Sequence, residues 1–380
     1  MSSSYEFFLC DDYGRKIIQL ERYSFASYSR TTNGYGTIQF GLPYDYYKER
    51  VPDIFKPDWR IDVWRSPEEG FPMRREGSFL LRKFVIYERI DGMRIIEFFG
   101  RSPIDILRRA CVCAGSDNPT AFEKNGPADD IMKELVTQEI YDVAPDGLNT
   151  TEFFIDGDIS LGPIVDVTCQ SYEVLDILRD IKNMTLTLNL ISPTLYRKIY
   201  FDVVEDVILS NGGFAYRFKT FADLRGQDRT NSGLIFSTEN GNLGKPSYYE
   251  DYLDQITKAG VGYEAGADCD AYAETEERYL SRWSDIKTCF TANTTDLDIQ
   301  RRAYTQLSKG RAQKVLNADF LNTPGGPNQP RSLYGMDWDM GDLVRAEFAD
   351  KSFDVEIKIV YVSVDENGKE NVLGSSEIAQ

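Results

Sequence analysis

Between Tyr5 and Gly100 apolar and polar residues alternate in short runs broken by turn residues, and a period of two sustained over that span commits it to β-structure. The runs Tyr5–Leu9, Lys16–Leu20, Tyr23–Arg30, Thr37–Phe40, Trp59–Arg65, Ser78–Arg89 and Arg94–Phe99 read as six or seven strands. Asn33-Gly34 and Asp91-Gly92 are hairpin signals, because both residue types accept positive φ. A sandwich or barrel is the economical way to bury so many short strands.

The period then lengthens. Pro103–Arg109 reads as a short helix. Ala128–Val143 is a stronger one, with Ile131, Met132, Leu135, Val136, Ile140 and Val143 at three-and-four spacing. Ser171–Asn183 follows the same pattern, with Ser171 as N-cap and Val174, Leu175, Leu178 and Ile181 on its apolar face. Strand character returns at Thr185–Leu190, Arg197–Val203 and Ala215–Phe221. Asp296–Ala312 reads as helical, with Thr295 and Asp298 at capping-box spacing, and Asp354–Tyr361 alternates into a hairpin turn at Glu366–Lys369. The expectation is a mainly β chain with α insertions: two β-barrels, the second interrupted.

Chemistry is narrowed most by the absence of histidine from all 380 residues. It excludes a Ser-His-Asp triad, a Cys-His pair, imidazole-ligated zinc and the usual general base near neutral pH. A net charge of −18 argues against a basic surface for nucleic acid or anionic lipid. Cysteines 10, 111, 113, 169, 269 and 289 lack C-x-x-C spacing and read as free thiols in a reducing cytoplasm. No signal peptide or apolar span of membrane length is expected. No phosphate loop or dinucleotide fingerprint is present, and the acidic stretches at Asp11-Asp12 and Asp285–Asp298 lack the ligand spacing of a calcium loop, so no cofactor or metal is expected.

Abundant carboxylates leave glycoside hydrolysis open, which needs only two acids about 5–10 Å apart. The candidate clusters are Glu274–Glu277 and Asp337-Trp338-Asp339, with Trp338 offering a face to a sugar in either a hydrolase or a carbohydrate-recognition module. Solvated loop acids are the plainer reading of both. The pairs Arg74-Arg75, Arg108-Arg109 and Arg301-Arg302 read as ion-paired to neighbouring acids and are too few for a DNA track.

One stretch is more specific. Gly226-Gln-Asp228-Arg229-Thr230, Leu234-Ile-Phe236-Ser237, Gly241-Asn242-Leu243, Ser247-Tyr248-Tyr249 and Gly260–Tyr263 follow one another in the order and spacing of long-tailed phage tail-hub proteins, which this chain resembles. Asn33–Gly36, Trp59–Arg65, Gly77–Arg82, Gly100–Ser102 and the closing Tyr334–Val344, with Gly341-Asp342, are similar to the same family; 110–165 and 264–295 fit least.

The resemblance implies a non-enzymatic virion protein at the distal end of a siphophage tail, made in the host cytoplasm. It implies a homotrimeric baseplate or tail-tip hub, each copy giving two tube-like barrels to a pseudo-sixfold ring. The implied partners are the tail tube, the distal tail protein, the tape-measure end, a central fibre or spike, and viral DNA in transit during ejection. The domains would be 1–105 (first barrel), 106–184 (helix-rich insertion), 185–250 and 315–380 (the second barrel in two parts) and 251–314 (mixed insertion). An acidic bore would let a duplex slide without gripping it. The alternative is a tail-associated cell-wall glycoside hydrolase using Asp/Glu pairs; lytic relatives carry an extra C-terminal domain, for which no room is expected after the final hairpin.

Overall fold

The computed structural model describes residues 3–51, 56–112, 122–141, 153–169, 172–191, 196–208, 214–262, 271–274, 279, 281–291, 303, 307, 310, 312–327 and 329–378. The first run of alternation forms β1 (Ser4–Cys10), β2 (Lys16–Gln19), β3 (Phe25–Thr31), β4 (Thr37–Pro43), β5 (Arg60–Ser66), β6 (Arg74–Glu88) and β7 (Arg94–Arg101). Both hairpin signals hold. Asn33 has φ 53° and Gly92 φ 81°, and the strands they join pair antiparallel, Tyr28 opposite Ile38 and Glu88 opposite Arg94. A short helix, α1 (Tyr44–Arg50), was not expected; its Tyr47 packs on Phe98 of β7.

The middle of the chain builds a second core. It contains α2 (Asp105–Arg109), β8 (Cys111–Val112), β9 (Phe122–Pro127), α3 (Ala128–Val136), β10 (Phe153–Ile155), β11 (Ile164–Cys169), β12 (Tyr172–Glu173), α4 (Val174–Ile191), β13 (Ile199–Ile208) and β14 (Phe214–Ala222). The apolar faces of α3 and α4 meet there: Ile131, Met132 and Leu135 pack with Leu175, Leu178 and Ile181 over Phe201 and Phe218. After Val136 the helix widens into a π turn, Thr137–Tyr141.

The strand expected at Thr185–Leu190 is instead the last part of α4. Its Thr-Leu alternation suits a strand, but Met184 and Leu188 lie against the second core on the helical period. The buried Thr185 hydroxyl also accepts the Ile199 amide at 3.0 Å, tying the helix to β13. Tertiary packing thus overrides local β-propensity. The expected N-cap, Ser171, and the expected helix at 296–312 lie outside the described residues, apart from Ala303, Leu307, Gly310 and Ala312.

The remaining strands are β15 (Ile235–Ser237), β16 (Leu243–Asp251), β17 (Lys258–Gly262), β18 (Ala271–Glu274), β19 (Lys287–Thr291), β20 (Gln313–Leu321), β21 (Leu343–Phe348), β22 (Lys351–Asp365) and β23 (Glu370–Ile378). The Asp365 carboxylate closes the last hairpin by accepting the Asn367 and Lys369 amides, each at 2.9 Å.

The pairing joins the two ends of the chain. A 13-stranded sheet runs β16-β20-β23-β22-β3-β4-β7-β6-β5-β1-β2, with β15 and β21 attached through β22. The bridge is β22, whose 15 residues far exceed the usual five or six. Its first half pairs β21 and its second half pairs β3, Val362 opposite Tyr28. The mainly β class therefore stands. The expected barrels do not appear as closed rings among the described residues: β22 is shared by both strand groups, and the order ends in open edges at β16 and β2. One apolar core follows, running from Phe7, Phe40 and Phe98 through Val360 and Val362 to Phe236, Phe320 and Trp338.

Candidate functional site

The residues marked by the resemblance fall mostly in one place. The Gly226 amide bonds the Gly341 carbonyl at 3.0 Å, Gln227 donates its amide to Asp342 Oδ1 at 2.7 Å, and the Arg229 amide bonds the Leu343 carbonyl at 2.8 Å. The Arg229 guanidinium takes Asp342 Oδ2, which also accepts the Asp339 amide at 2.9 Å. Asp342 is thereby surrounded, although burial outweighs these donors and raises its pKa. A side chain at 226 would bring its Cβ to 2.4 Å from Asp342 Oδ1, and Gly341 sits at φ +87°, so glycine is required at both positions. Asp228 accepts the Thr230 hydroxyl and amide in an exposed turn, which lowers its pKa.

Beneath this clasp lies Trp338, fully buried, its indole N–H on the Ser332 carbonyl at 3.1 Å. Phe236 meets its ring edge-on at 6.1 Å and itself packs edge-on against Phe320 at 4.9 Å. Asn242 Oδ1 accepts the Ser237 amide at 2.9 Å while its Nδ2 donates to the Ile235 carbonyl, and Ser237 Oγ accepts the Asn240 amide. Ser247 and Tyr248 stand apart on β16, where Tyr248 packs on Phe353 at 4.8 Å.

A polar network that the sequence did not reveal fastens the loop 334–342 to the first strands. Arg65 is fully buried and grips Glu370 with two 2.9 Å bonds while donating to the Tyr334 carbonyl at 2.9 Å. Arg30 bonds Asp339 at 2.9 Å and the Tyr334 hydroxyl, which in turn donates to Glu76 at 2.6 Å. Arg74 reaches the Gly335 carbonyl at 2.6 Å and Glu76 at 3.0 Å. Burial pushes against ionisation of Asp339 and Glu370, yet Arg30 with Arg74, and Arg65, hold these carboxyls below their ordinary values. Burial raises the Tyr334 phenol well above its usual range. The available signal was Arg65, an arginine on the apolar face of β5 alongside Ile61 and Val63.

This geometry corrects the expectation for Trp338: with no exposed face it cannot stack on a sugar. Its flanking acids are held by arginines, Asp339 as above and Asp337 by a two-bond pair from Arg331 at 3.0 Å. In the other acidic cluster Glu274 pairs Lys258 at 2.8 Å, and 275–277 lie outside the described residues. Asp11 is engaged by Arg15 at 2.7 Å. Arg101, Arg108 and Arg109 converge on the buried Asp105 at 3.0 Å each; Arg301 and Arg302 lie outside the described residues. Cys10 and Cys169 are buried, burial pushing the Cys169 thiol up to about 11, while Cys111 and Cys289 are exposed and positions 113 and 269 are not described.

Residues 7–373 match the family described as siphovirus ReqiPepy6 Gp37-like protein. In fold the chain is similar to the 43 kDa tail protein of prophage MuSo2 from Shewanella oneidensis, at TM-score 0.55 and 13% identity, covering 98% of each chain. It is also similar to a tail protein from Neisseria meningitidis MC58, at TM-score 0.53 and 10% identity over 99% of this chain and 97% of that one. A chain of the Francisella PdpA-VgrG complex gives TM-score 0.53 at 10% identity, covering 99% of this chain and 52% of that one. No curated protein matches in sequence. At these identities the likenesses speak for the fold.

Proposed function

The chain belongs to the siphovirus ReqiPepy6 Gp37-like family, and from that premise we propose that it is a structural hub at the distal end of a phage tail. In this reading three copies close into a pseudo-sixfold ring, each contributing two tube-like β-modules. The first spans 1–105, the second combines 185–250, whose β13 and β14 pack in the second core, with 315–380, and 106–184 and 251–314 are insertions. The ring joins the tail tube and distal tail protein to a fibre or spike, receives the tape-measure end, and lets DNA pass at ejection.

The observation that carries the reading is the pairing of β3 with β22, which sets early and late strands of one chain side by side in a single sheet. A threefold assembly that meets a sixfold tube needs two such groups per copy, held in fixed register. The fastening supports this: Arg30, Arg65 and Arg74 leave the first strands and end on the loop 334–342 or on Glu370 of β23. Mass measurement of the purified chain with negative-stain imaging tests it. A trimer with a central hole is expected; a compact monomer that releases sugar from peptidoglycan overturns it.

A further inference from the structure

Strand β5 is buried on both faces. Ile61, Val63 and Arg65 face the large core or the network above, whereas the alternate face, Arg60, Asp62 and Trp64, has the composition of a solvated surface. It is covered instead by the β13–β14 ribbon: Arg60 donates to the Phe214 carbonyl at 2.8 Å and lies 4.2 Å over the Tyr216 ring, and Trp64 meets Phe214 edge-on at 6.3 Å.

This covering fits badly. Arg75 of β6, its side chain 9% exposed, stacks 3.9 Å over Phe214, but its nearest acids stand off beyond hydrogen-bond distance, Asp62 at 3.8 Å and Glu205 at 3.7 Å. All three guanidinium nitrogens of Arg75 lack a hydrogen-bond partner, as do Arg60 Nε, Asp62 Oδ1 and Trp64 Nε1. A slot of about 230 Å³ separates Glu76, Gly77 and Ser78 from Val203, Val204 and Glu205. Both strands are irregular where they face it: β6 shifts register opposite Val63/Trp64, and β13 between Val204 and Val207.

Buried polar atoms left unpaired weaken a packed face, and a charge trio held at such distances gives little back. We propose that the β13–β14 ribbon docks reversibly on the β5–β6 face and parts from it while the large sheet stays intact, with Asp62, Arg75 and Glu205 acting as the latch.

The latch has a pH sense. Burial, reinforced by Asp62 of β5 and Asp202 of β13 and opposed by Arg75 of β6 and Arg60 of β5, pushes the Glu205 carboxyl up to about 7; Tyr216 of β14 also faces it, its phenol raised by burial. The docked state thus holds a proton that the parted state, with an ordinary glutamate, releases. Docking is strongest below the ordinary glutamate value and weakens as pH rises through about 7.

Cys10, fully buried and opposite Arg60 in the register of β1 and β5, senses Asp62, Arg60 and Arg75, and so reports on this face. The test is thiol labelling of the folded chain, read by peptide mass spectrometry and corrected for thiolate fraction with an unfolded reference. The Cys10 opening constant is expected to rise at least about tenfold from pH 5.5 to 8 with a shallow urea dependence. Glu205→Gln should flatten that rise, and Cys169 should not follow it. A Cys10 rate that tracks Cys169 with the urea slope of global unfolding overturns the proposal, as does a corrected rate independent of pH.

Discussion

The large sheet rests on two polar seams built from the same strands, and they differ in completeness. On one face of β5, Arg65 makes three hydrogen bonds to Glu370 and Tyr334, and neighbouring Arg30, Arg74, Tyr334 and Asp339 are bonded among themselves. On the other face, Arg75 sits between two acids and bonds neither. Residue types are alike on both sides, so composition does not decide strength. Geometry does: a buried charge is held firmly only when its donors and acceptors are matched within hydrogen-bond distance.

The largest expected contrast comes from removing one arginine at the complete seam. Arg65→Met should lower unfolding stability by about 3–5 kcal/mol, since it strands the Glu370 carboxylate and the Tyr334 carbonyl, whereas neutralising the whole trio with Asp62→Asn, Arg75→Met and Glu205→Gln together should be neutral or stabilising. Denaturant midpoints of the two variants measured side by side decide this; equal losses would erase the distinction. Next in size, Gly226→Ala should cost about 1–3 kcal/mol by forcing the clasp away from Asp342, with the same substitution at Gly157, which has open space and no positive φ, as a control for glycine flexibility.

The smallest effect is the most diagnostic. Asp339 and Glu370 have lowered pKa values, so the stability they lend is present above the ordinary carboxylate range and is lost as pH falls through their depressed values. Glu205 has the opposite sign, its contribution fading as pH rises through about 7. Unfolding free energy followed from pH 3 to 8 should therefore fall at both ends. Glu370→Gln should remove part of the acid limb and Glu205→Gln the alkaline one, and a profile unchanged by either would break the comparison.

Much of the fold was legible because strands and turns are written locally. Asn33-Gly34 and Asp91-Gly92 turn where their residue types permit, and Ile131, Met132 and Leu135 face a core at helical spacing. Thr185–Leu190 was misread because a six-residue alternation carries less weight than the helix-period contacts of Met184 and Leu188 beyond it. The expectation for Trp338 fails because acidic neighbours suggest solvent, yet Arg30 and Arg74 hold Asp339 inward and Arg331 holds Asp337 at the surface while the ring turns into the core. The clasp residues were legible as a motif, but their meeting, Gly226 with Gly341 and Arg229 with Asp342, spans over a hundred positions.

By itself the sequence determined a mainly β protein with helical insertions, free of histidine chemistry, because residue type, period and turn preference act over a few neighbours. Only the tertiary structure decided that β22 would serve both strand groups, that Arg65 would be matched and Arg75 left unmatched, and that the polar face of β5 would be covered. Those outcomes depend on which distant groups arrive within about 3 Å of one another, and hydrogen bonding between remote segments leaves no period in the chain.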